Sequence, residues 1–280
     1  MGEAMAQVRK RRNSFSDTFK YFPWLRIVLP VLLVLALFSG VVSSLPRRPK
    51  PVPEEIDCPV EVEIGELKEI VDPKKKYKDK KLLALTFDDG PSDYTNRLLD
   101  ILKAKGIKVT FFALGSRADY YPDIIRREAR ERHEVESHTY GHRDLSTISA
   151  GEVSFETISA AQSICNALGK QGCISYVRPP YGAVNNTVRS VIKEPLVGWS
   201  VDSLDWRSKD AAQVRAEVLT HAFDGAIVLM HDIYDSTVTG VEMMLDDLIA
   251  AGYTLVTVDE LVKARTPGLS PGLLYGKFER

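Results

Sequence analysis

Five places in this chain gather side chains able to move protons or hold a metal. Asp88 and Asp89 stand together ahead of Gly90-Pro91, His138 and His142 are spaced i, i+4, and Arg178 precedes Pro179-Pro180-Tyr181. Asp202 and Asp205 precede Trp206, and His231-Asp232 follows an apolar run. On a helical turn, i, i+4 spacing puts two imidazoles on one side. Two neutral imidazoles and one carboxylate form an open metal site. A divalent ion in such a site can lower the pKa of a water and polarise a carbonyl. Nitrogen-rich ligation favours Zn²⁺, with Co²⁺, Ni²⁺ and Mn²⁺ as alternatives. At a strand end that turns through Gly90-Pro91, both Asp88 and Asp89 can approach one ion. One would bind it, and the other, beside it, could take a proton from water. His231 could face them from another strand as the acid for a leaving amine, with an acidic neighbour such as Asp205 raising its pKa. Each group alone has a plainer reading: a capping Asp-Asp before a turn, a core histidine. His133 and His221 read as structural or exposed.

These residues fall at the ends of short apolar, β-branched runs. The strand-like runs are Leu82–Phe87, Val109–Leu114, His133–Ser137, Ser175–Arg178, Leu196–Val201, Ala226–Met230 and Tyr253–Val258. Between them lie helix-like stretches at 95–105, 122–132, 151–168, 184–192, 209–222 and 238–251, the first and last closed by Gly106 and Gly252. Strands alternating with helices imply a parallel sheet. Roughly 185 residues is short for eight βα units, so the expected fold is α/β, a distorted or incomplete (β/α) barrel of about seven parallel strands. An open doubly wound sheet is the alternative. In a parallel barrel the strand ends share one face, so five of them would deliver acids, histidines and an arginine to one place. Gly115-Ser116-Arg117 is only a lone turn signal, not a nucleotide fingerprint.

The rest of the chain bounds the setting. It has 280 residues, 44% hydrophobic and 27% charged, with a formal net charge of −1. That is a globular balance, and the lack of net positive charge argues against nucleic acid as a partner. Residues 27–45 carry no charge, are just long enough to cross a bilayer, and follow a basic segment over 1–26. The charge bias predicts a single-pass anchor with a cytoplasmic N-terminus and the remaining chain outside. A signal peptide cleaved near Val42-Ser43-Ser44 is the alternative. Residues 46–80 form a Pro/Lys-rich linker whose lysines, from Lys74 onward, read as solvated, with contact to an anionic wall polymer as the alternative. A catalytic domain over 81–264 and a tail over 265–280 complete the expected organisation. Three cysteines (Cys58, Cys165, Cys173) are too few for a disulfide scaffold or thiolate zinc site. A Cys165–Cys173 bridge and two ordinary small residues both remain open. No obligate protein partner is evident.

Taken together the motifs resemble the polysaccharide deacetylase family, the NodB-homology or carbohydrate esterase family 4 domain. Its five motifs are matched in order by Thr86-Phe87-Asp88-Asp89-Gly90, His138-Thr139-Tyr140-Gly141-His142, Arg178-Pro179-Pro180-Tyr181-Gly182, Asp202-Ser203-Leu204-Asp205-Trp206 and Leu229-Met230-His231-Asp232. The resemblance spans about residues 81–263. It implies that Asp89, His138 and His142 bind the metal, and that Asp88 is the general base, held by Arg178. It further implies that the Tyr181 backbone N–H stabilises an oxyanion and that His231, tuned by Asp205, protonates the leaving amine. Trp206 and Leu229 would line the acetyl pocket, Tyr181 and Pro179 would join them in contacting the substrate, and Pro179 and Pro180 would also fix the loop carrying Arg178 and Tyr181. One departure stands out: such domains commonly carry small residues before the first histidine, and here Glu136-Ser137 stand there.

An outward-facing, anchored domain of this kind implies hydrolysis of N-acetyl groups from an amino-sugar polymer, with peptidoglycan favoured. Chitooligosaccharides, an acetylxylan ester, or a non-catalytic wall-binding role on the same fold are the alternatives. A metal-dependent nuclease or phosphatase would want more carboxylate ligands and a basic groove.

Overall fold

A computed structural model describes residues 72–279. The basic segment, the expected membrane anchor and most of the linker lie outside the described residues. Among the described residues, no helix is long and apolar enough to cross a membrane.

The chain opens with α1 (Pro73–Lys76) and then β1 (Lys81–Asp88), α2 (Thr95–Lys105) and β2 (Thr110–Ala113). Next come α3 (Gly115–Tyr120), α4 (Pro122–Arg130), β3 (Glu134–Ser137), α5 (Ala150–Leu168) and α6 (Asn186–Val191). Short β4 (Leu196–Val197) and β5 (Val201–Asp202) lead to α7 (Asp205–Ser208), α8 (Ala211–His221), β6 (Ala226–His231) and α9 (Asp235–Ala250). Strand β7 (Tyr253–Val256), α10 (Val258–Arg265) and β8 (Leu274–Tyr275) end the domain.

Every named strand pair is parallel. The sheet runs β3-β2-β1-β6-β5. From β3 it continues through bridges at Ser137–Val177 and Val177–Leu196 to β4, whose chain runs on into β5. The strands therefore form a ring, and the barrel expectation holds over the open sheet. The ring is distorted at β1, which pairs with β7 along Lys81–Ala84 and with β2 along Thr86–Asp88.

Strand period two explains how this frame builds a site. On β1, Leu83, Leu85 and Phe87 join a core that also takes leucines of α2, valines of α8 and the apolar stripe of α9. The intervening Leu82 and Ala84 join a second core with Phe112, Tyr176, Val197, Ile227 and Val256. That inner row continues through Thr86 to Asp88. On β6, Ala226, Val228 and Met230 face outward, which leaves Ile227, Leu229 and His231 on the inner row. Fully burying each large apolar side chain contributes about 1.5–3 kcal/mol, so a one-residue slip of β1, which would put Thr86 and Asp88 where Leu85 and Phe87 now pack, is strongly disfavoured. The core thus fixes the register of the polar residues at the strand ends.

Helix ends follow local rules. Gly106 closes α2 in the left-handed conformation (φ 67°) and caps it through Leu102 and Lys103 carbonyls. Ser149 and Glu152 form a capping box on α5, and Thr257 and Glu260 form one on α10.

Several expectations are revised. The Ser175–Arg178 run contributes only a bridge at Val177, because Pro179-Pro180 cannot extend a ladder. The Leu196–Val201 run splits into β4 and β5 around Gly198-Trp199. Gly115 starts helix α3 rather than marking a lone turn. The lysine-rich segment is folded at α1: Tyr77 is buried in the second core and donates to Glu260 at 2.7 Å, and Lys76 reaches the same carboxylate at 3.2 Å. The stretch after 265 is likewise held, by β8 pairing with β4. Cys165 and Cys173 are joined in a disulfide that ties the end of α5 to the following loop.

Candidate active site

Asp88 and His231 are register partners on adjacent strands, so both point into one cleft above the barrel. Asp89 would face the other way on a continuing strand. Instead its φ of 70° ends the ladder and turns its carboxylate toward the same space. The two histidines arrive differently from the expectation. Residues 138–142 form no helical turn: Thr139 (φ 69°) and His142 (φ 57°) are left-handed, and the loop folds back to bring both rings together, centroids 5.0 Å apart.

Asp89, His138 and His142 offer ligand atoms within 4.8 Å of one another. The Asp89 Oδ1 atom lies 3.6 Å from His138 Nε2 and 3.4 Å from His142 Nε2. It is buried and has no hydrogen-bond partner. Burying an unpaired carboxylate oxygen is costly unless a cation or donor meets it. His138 Nδ1 donates to the Arg178 carbonyl at 2.7 Å, leaving the Nε2 lone pair facing Asp89. Burial pushes the His138 pKa down to about 3, so the ring is neutral, as a ligand must be. The donor set therefore fits a single divalent ion.

Asp88 lies beside this set. Its Oδ1 accepts from Arg178 Nη1 at 2.7 Å, while Oδ2 is 3.6 Å from His138 Nε2. Arg178 is fully buried and is held by three further bonds, to Thr86 Oγ1 at 2.7 Å, Val197 O at 3.2 Å and Gly198 O at 2.9 Å. Its guanidinium carbon also sits 3.9 Å from the centroid of the Phe112 ring. Burial raises the Asp88 pKa, and the Arg178 charge opposes that rise without cancelling it.

Across the cleft, His231 Nδ1 is 2.8 Å from Asp205 Oδ1. The second oxygen of Asp205 accepts from the His231 backbone N–H and the Thr237 hydroxyl, both at 2.7 Å. Burial works against the imidazolium, but the hydrogen bond to Asp205 and the charges of Asp205, Asp88 and Asp89 outweigh it, raising His231 to about 9. A proton donor thus faces a carboxylate and a metal-ligand set across a cleft of about 380 Å³.

Tyr181, Trp206 and Leu229 line that cleft. Tyr181 is held left-handed (φ 60°), with its ring 4.8 Å from that of His142. Pro179 does not line the cleft; it is buried behind it, and its carbonyl accepts from Gly182 to close the turn under Tyr181. Glu136 also faces away: its carboxylate accepts from Ser175 and Tyr176 N–H at 2.8 and 2.9 Å and so braces the chain leading to Arg178. His133 is buried and neutral, lowered to about 4 by burial, and His221 is exposed against Glu217.

Two cleft aromatics, Trp199 and Tyr234, escaped the sequence reading. Each lies three residues from a strand-end Asp202 or His231, which is the signal that would have found them. Glu156 escaped it too. This buried α5 residue accepts from the Tyr140 and Gly141 N–H groups at 3.0 and 2.7 Å, between the two metal-facing histidines. Asp232 packs behind the site, against Gly90, where any Cβ would stand 2.2 Å from its carboxylate.

Comparison with known proteins agrees with this geometry. The family described as polysaccharide deacetylase matches residues 75–195. The chain is 43% identical over 187 residues to the peptidoglycan-N-acetylglucosamine deacetylase PgdA of Listeria monocytogenes, a match covering 66% of this chain and 40% of that protein. It is 36% identical over 220 residues to the peptidoglycan-N-acetylmuramic acid deacetylase PdaC of Bacillus subtilis, covering 78% of this chain and 44% of the relative. The chain thus spans less than half the length of either relative. The solved PdaC structure superposes with a TM-score of 0.64, covering 69% of this chain and 93% of that one. A family 4 acetyl xylan esterase from Clostridium thermocellum, in complex with cobalt, superposes with a TM-score of 0.67 at 29% identity, covering 70% of this chain and 98% of that one.

Proposed function

Because the chain belongs to the polysaccharide deacetylase family, we propose that it hydrolyses N-acetyl groups from the amino sugars of a cell-wall polysaccharide, peptidoglycan above all, using one divalent metal ion. The observation that carries this reading is the pairing of a carboxylate, Asp88, with an imidazole raised so as to hold its proton, His231, beside a three-residue set able to hold a metal.

Asp89, His138 and His142 would hold the ion, which when bound supplies Lewis acidity toward a carbonyl and toward water. Nitrogen-rich ligation favours Zn²⁺, and the cobalt held by the clostridial relative supports a divalent ion in this fold. Asp88, kept basic by burial and aimed by Arg178, accepts a proton from the attacking water. The backbone N–H of Tyr181 serves the negative oxygen that develops on the acetyl carbonyl. His231 delivers its proton to the sugar nitrogen as the C–N bond breaks, giving a free amine and acetate. Leu229 and Trp206 form the wall against the acetyl methyl group.

The tuning of His231 favours an amide over an ester substrate. An amine leaves poorly unless protonated, whereas an alkoxide needs less help, so a histidine raised to about 9 suits C–N cleavage. A binding-only role would not call for both tuned pairs to be complete. The names of the Listeria and Bacillus relatives support peptidoglycan. Residues 27–45 are assigned as a membrane anchor that holds the domain outside the cell, and the Cys165–Cys173 disulfide suits that compartment.

The test is acetate release from purified sacculi by the zinc-loaded protein, with mass spectrometry of the digested strands to find which sugar loses its acetyl group. Release that disappears in His138→Ala is expected. No release, or equal release by that variant, would overturn the assignment.

A further inference from the structure

The backbone around Ser175 does not run as a regular strand. Along an extended strand successive N–H groups point to opposite sides, yet those of Ser175 and Tyr176 converge on one oxygen, Oε2 of Glu136, at 2.8 and 2.9 Å. Successive N–H groups aimed at one anion form a concave backbone nest. That shape depends on the acceptor that fills it, because a buried N–H left without a partner is costly, and Tyr176 is buried.

The nest leads directly to Arg178. Val177 bridges Ser137 and Leu196, and Arg178 N–H donates to Ser137 O at 2.9 Å. Arg178 then serves the site twice. Its carbonyl meets Nδ1 of His138 at 2.7 Å, and its guanidinium reaches Oδ1 of Asp88 at 2.7 Å. His138 follows Glu136 by two residues at the end of β3. The contacts therefore close a circuit: carboxylate to nest, nest to Arg178, Arg178 to His138, and His138 back along the chain to Glu136. Glu136 is buried and lines a pocket with Ser175, not the cleft.

We propose that Glu136 is a positioning residue for the reaction: by filling the Ser175–Tyr176 nest it sets the placement of Arg178, and through Arg178 the orientation of His138 and Asp88 together. This inference rests on the deacetylase reading, and it adds that one carboxylate outside the cleft governs metal affinity and turnover at once. The requirement is an acceptor atom at the right reach, not a negative charge, since both N–H groups use the same oxygen. The amide oxygen of glutamine can take that place. Aspartate keeps the charge but is one methylene shorter, so its oxygens fall short of the nest.

The experiment measures zinc affinity by titration, and kcat and KM for acetate release from peptide-free peptidoglycan strands, in the full chain and in Glu136→Gln, Glu136→Asp and Glu136→Ala. Thermal melting shows which variants are folded, and if Glu136→Ala is not, the comparison of Gln with Asp decides. Glu136→Gln should stay close to wild type in both quantities. Glu136→Asp and Glu136→Ala should bind zinc about 10–100-fold more weakly. At saturating zinc they should lose kcat by at least about tenfold, with KM little changed, because the shifted groups act on the reacting atoms and not on the bound sugar. Either zinc affinity or kcat unchanged in Glu136→Asp would overturn the positioning role. So would equal losses in Glu136→Gln and Glu136→Ala, which would make the charge the requirement. No acetate from the wild type, with the zinc affinities still ordered as expected, would overturn the deacetylase reading and leave the bracing of His138 standing.

Discussion

The Asp205→Asn substitution probes the proton donor with little change of shape. Asp205 lies at full burial, with one oxygen 2.8 Å from His231 Nδ1 and the other accepting from the His231 N–H and Thr237. The wild-type imidazole is raised from 6.5 to about 9 although burial alone would lower it. That difference corresponds to about 3 kcal/mol of preference for the imidazolium. Asn removes the negative charge and keeps an acceptor for Nδ1, so burial then prevails and the pKa falls to 6.5 or lower. At pH 7.5 the protonated fraction drops from nearly all to about a tenth or less. The assay is the pH profile of kcat/KM for acetate release. The limb at high pH, where His231 loses its proton, should move down by about two units or more. The loss should therefore be at least about tenfold at pH 7.5 and much smaller at pH 6. A divalent ion near Asp89 lowers this limb in both proteins, so the difference between them is the quantity read. A high-pH limb that stays in place, or a loss equal at every pH, would refute the role assigned to the pair.

Three further outcomes follow from groups outside the chemistry. Glu156→Ala removes the acceptor of two loop N–H groups; metal affinity measured by titration should fall about 10–100-fold while melting shows the fold intact, and an unchanged affinity would exclude Glu156 from positioning the histidines. Glu128 is buried with neither carboxylate oxygen paired, and burial, reinforced by the Asp232 charge, raises its pKa well above normal. A carboxyl raised on folding stabilises fully below its unfolded pKa and loses that contribution as pH rises through the folded value. Denaturation between pH 4 and 8 should therefore show wild-type stability falling more steeply than that of Glu128→Gln, and parallel curves would contradict this. Replacing Cys165 and Cys173 by serine opens a short loop at the end of α5; the expected cost is about 2.5 kcal/mol in chemical denaturation, and a loss below about 0.5 kcal/mol would mean the bridge adds nothing.

Much of this site is legible in the sequence because strand ends and short motifs report it directly. Asp88, Arg178, Asp205 and His231 each follow an apolar run, and the period of two on β1 and β6 turns that adjacency into a shared face. The reading fails where the backbone leaves regular geometry. The histidine loop reads as a helical turn from spacing alone, yet two left-handed residues, Thr139 and His142, bring the rings together. No local pattern marks Asp89 as left-handed, and that single φ of 70° is what turns its carboxylate away from the position Asp88 takes. Long-range bracing is also invisible in one dimension. Glu156 and the histidine loop are on different elements, as are Glu136 and the Ser175–Tyr176 backbone. Tyr77, amid six lysines, reads as part of a solvated linker because its partner Glu260 lies 183 residues away. Pro179 belongs to a motif that lines the cleft, yet it acts from behind through its carbonyl.

The central claim is that two adjacent acids divide the work, Asp89 holding the ion and Asp88 moving the proton. It is tested most directly by measuring zinc affinity and turnover together in Asp88→Asn and Asp89→Asn. Asp88 makes its hydrogen bond to Arg178 rather than to the ligand set, whereas the unpaired Oδ1 of Asp89 faces both histidines. Asp88→Asn should therefore bind zinc close to the wild-type level and lose acetate release by at least about a hundredfold. Asp89→Asn should weaken zinc binding itself. Equal zinc affinity in the two variants, or turnover surviving in Asp88→Asn, would contradict the account.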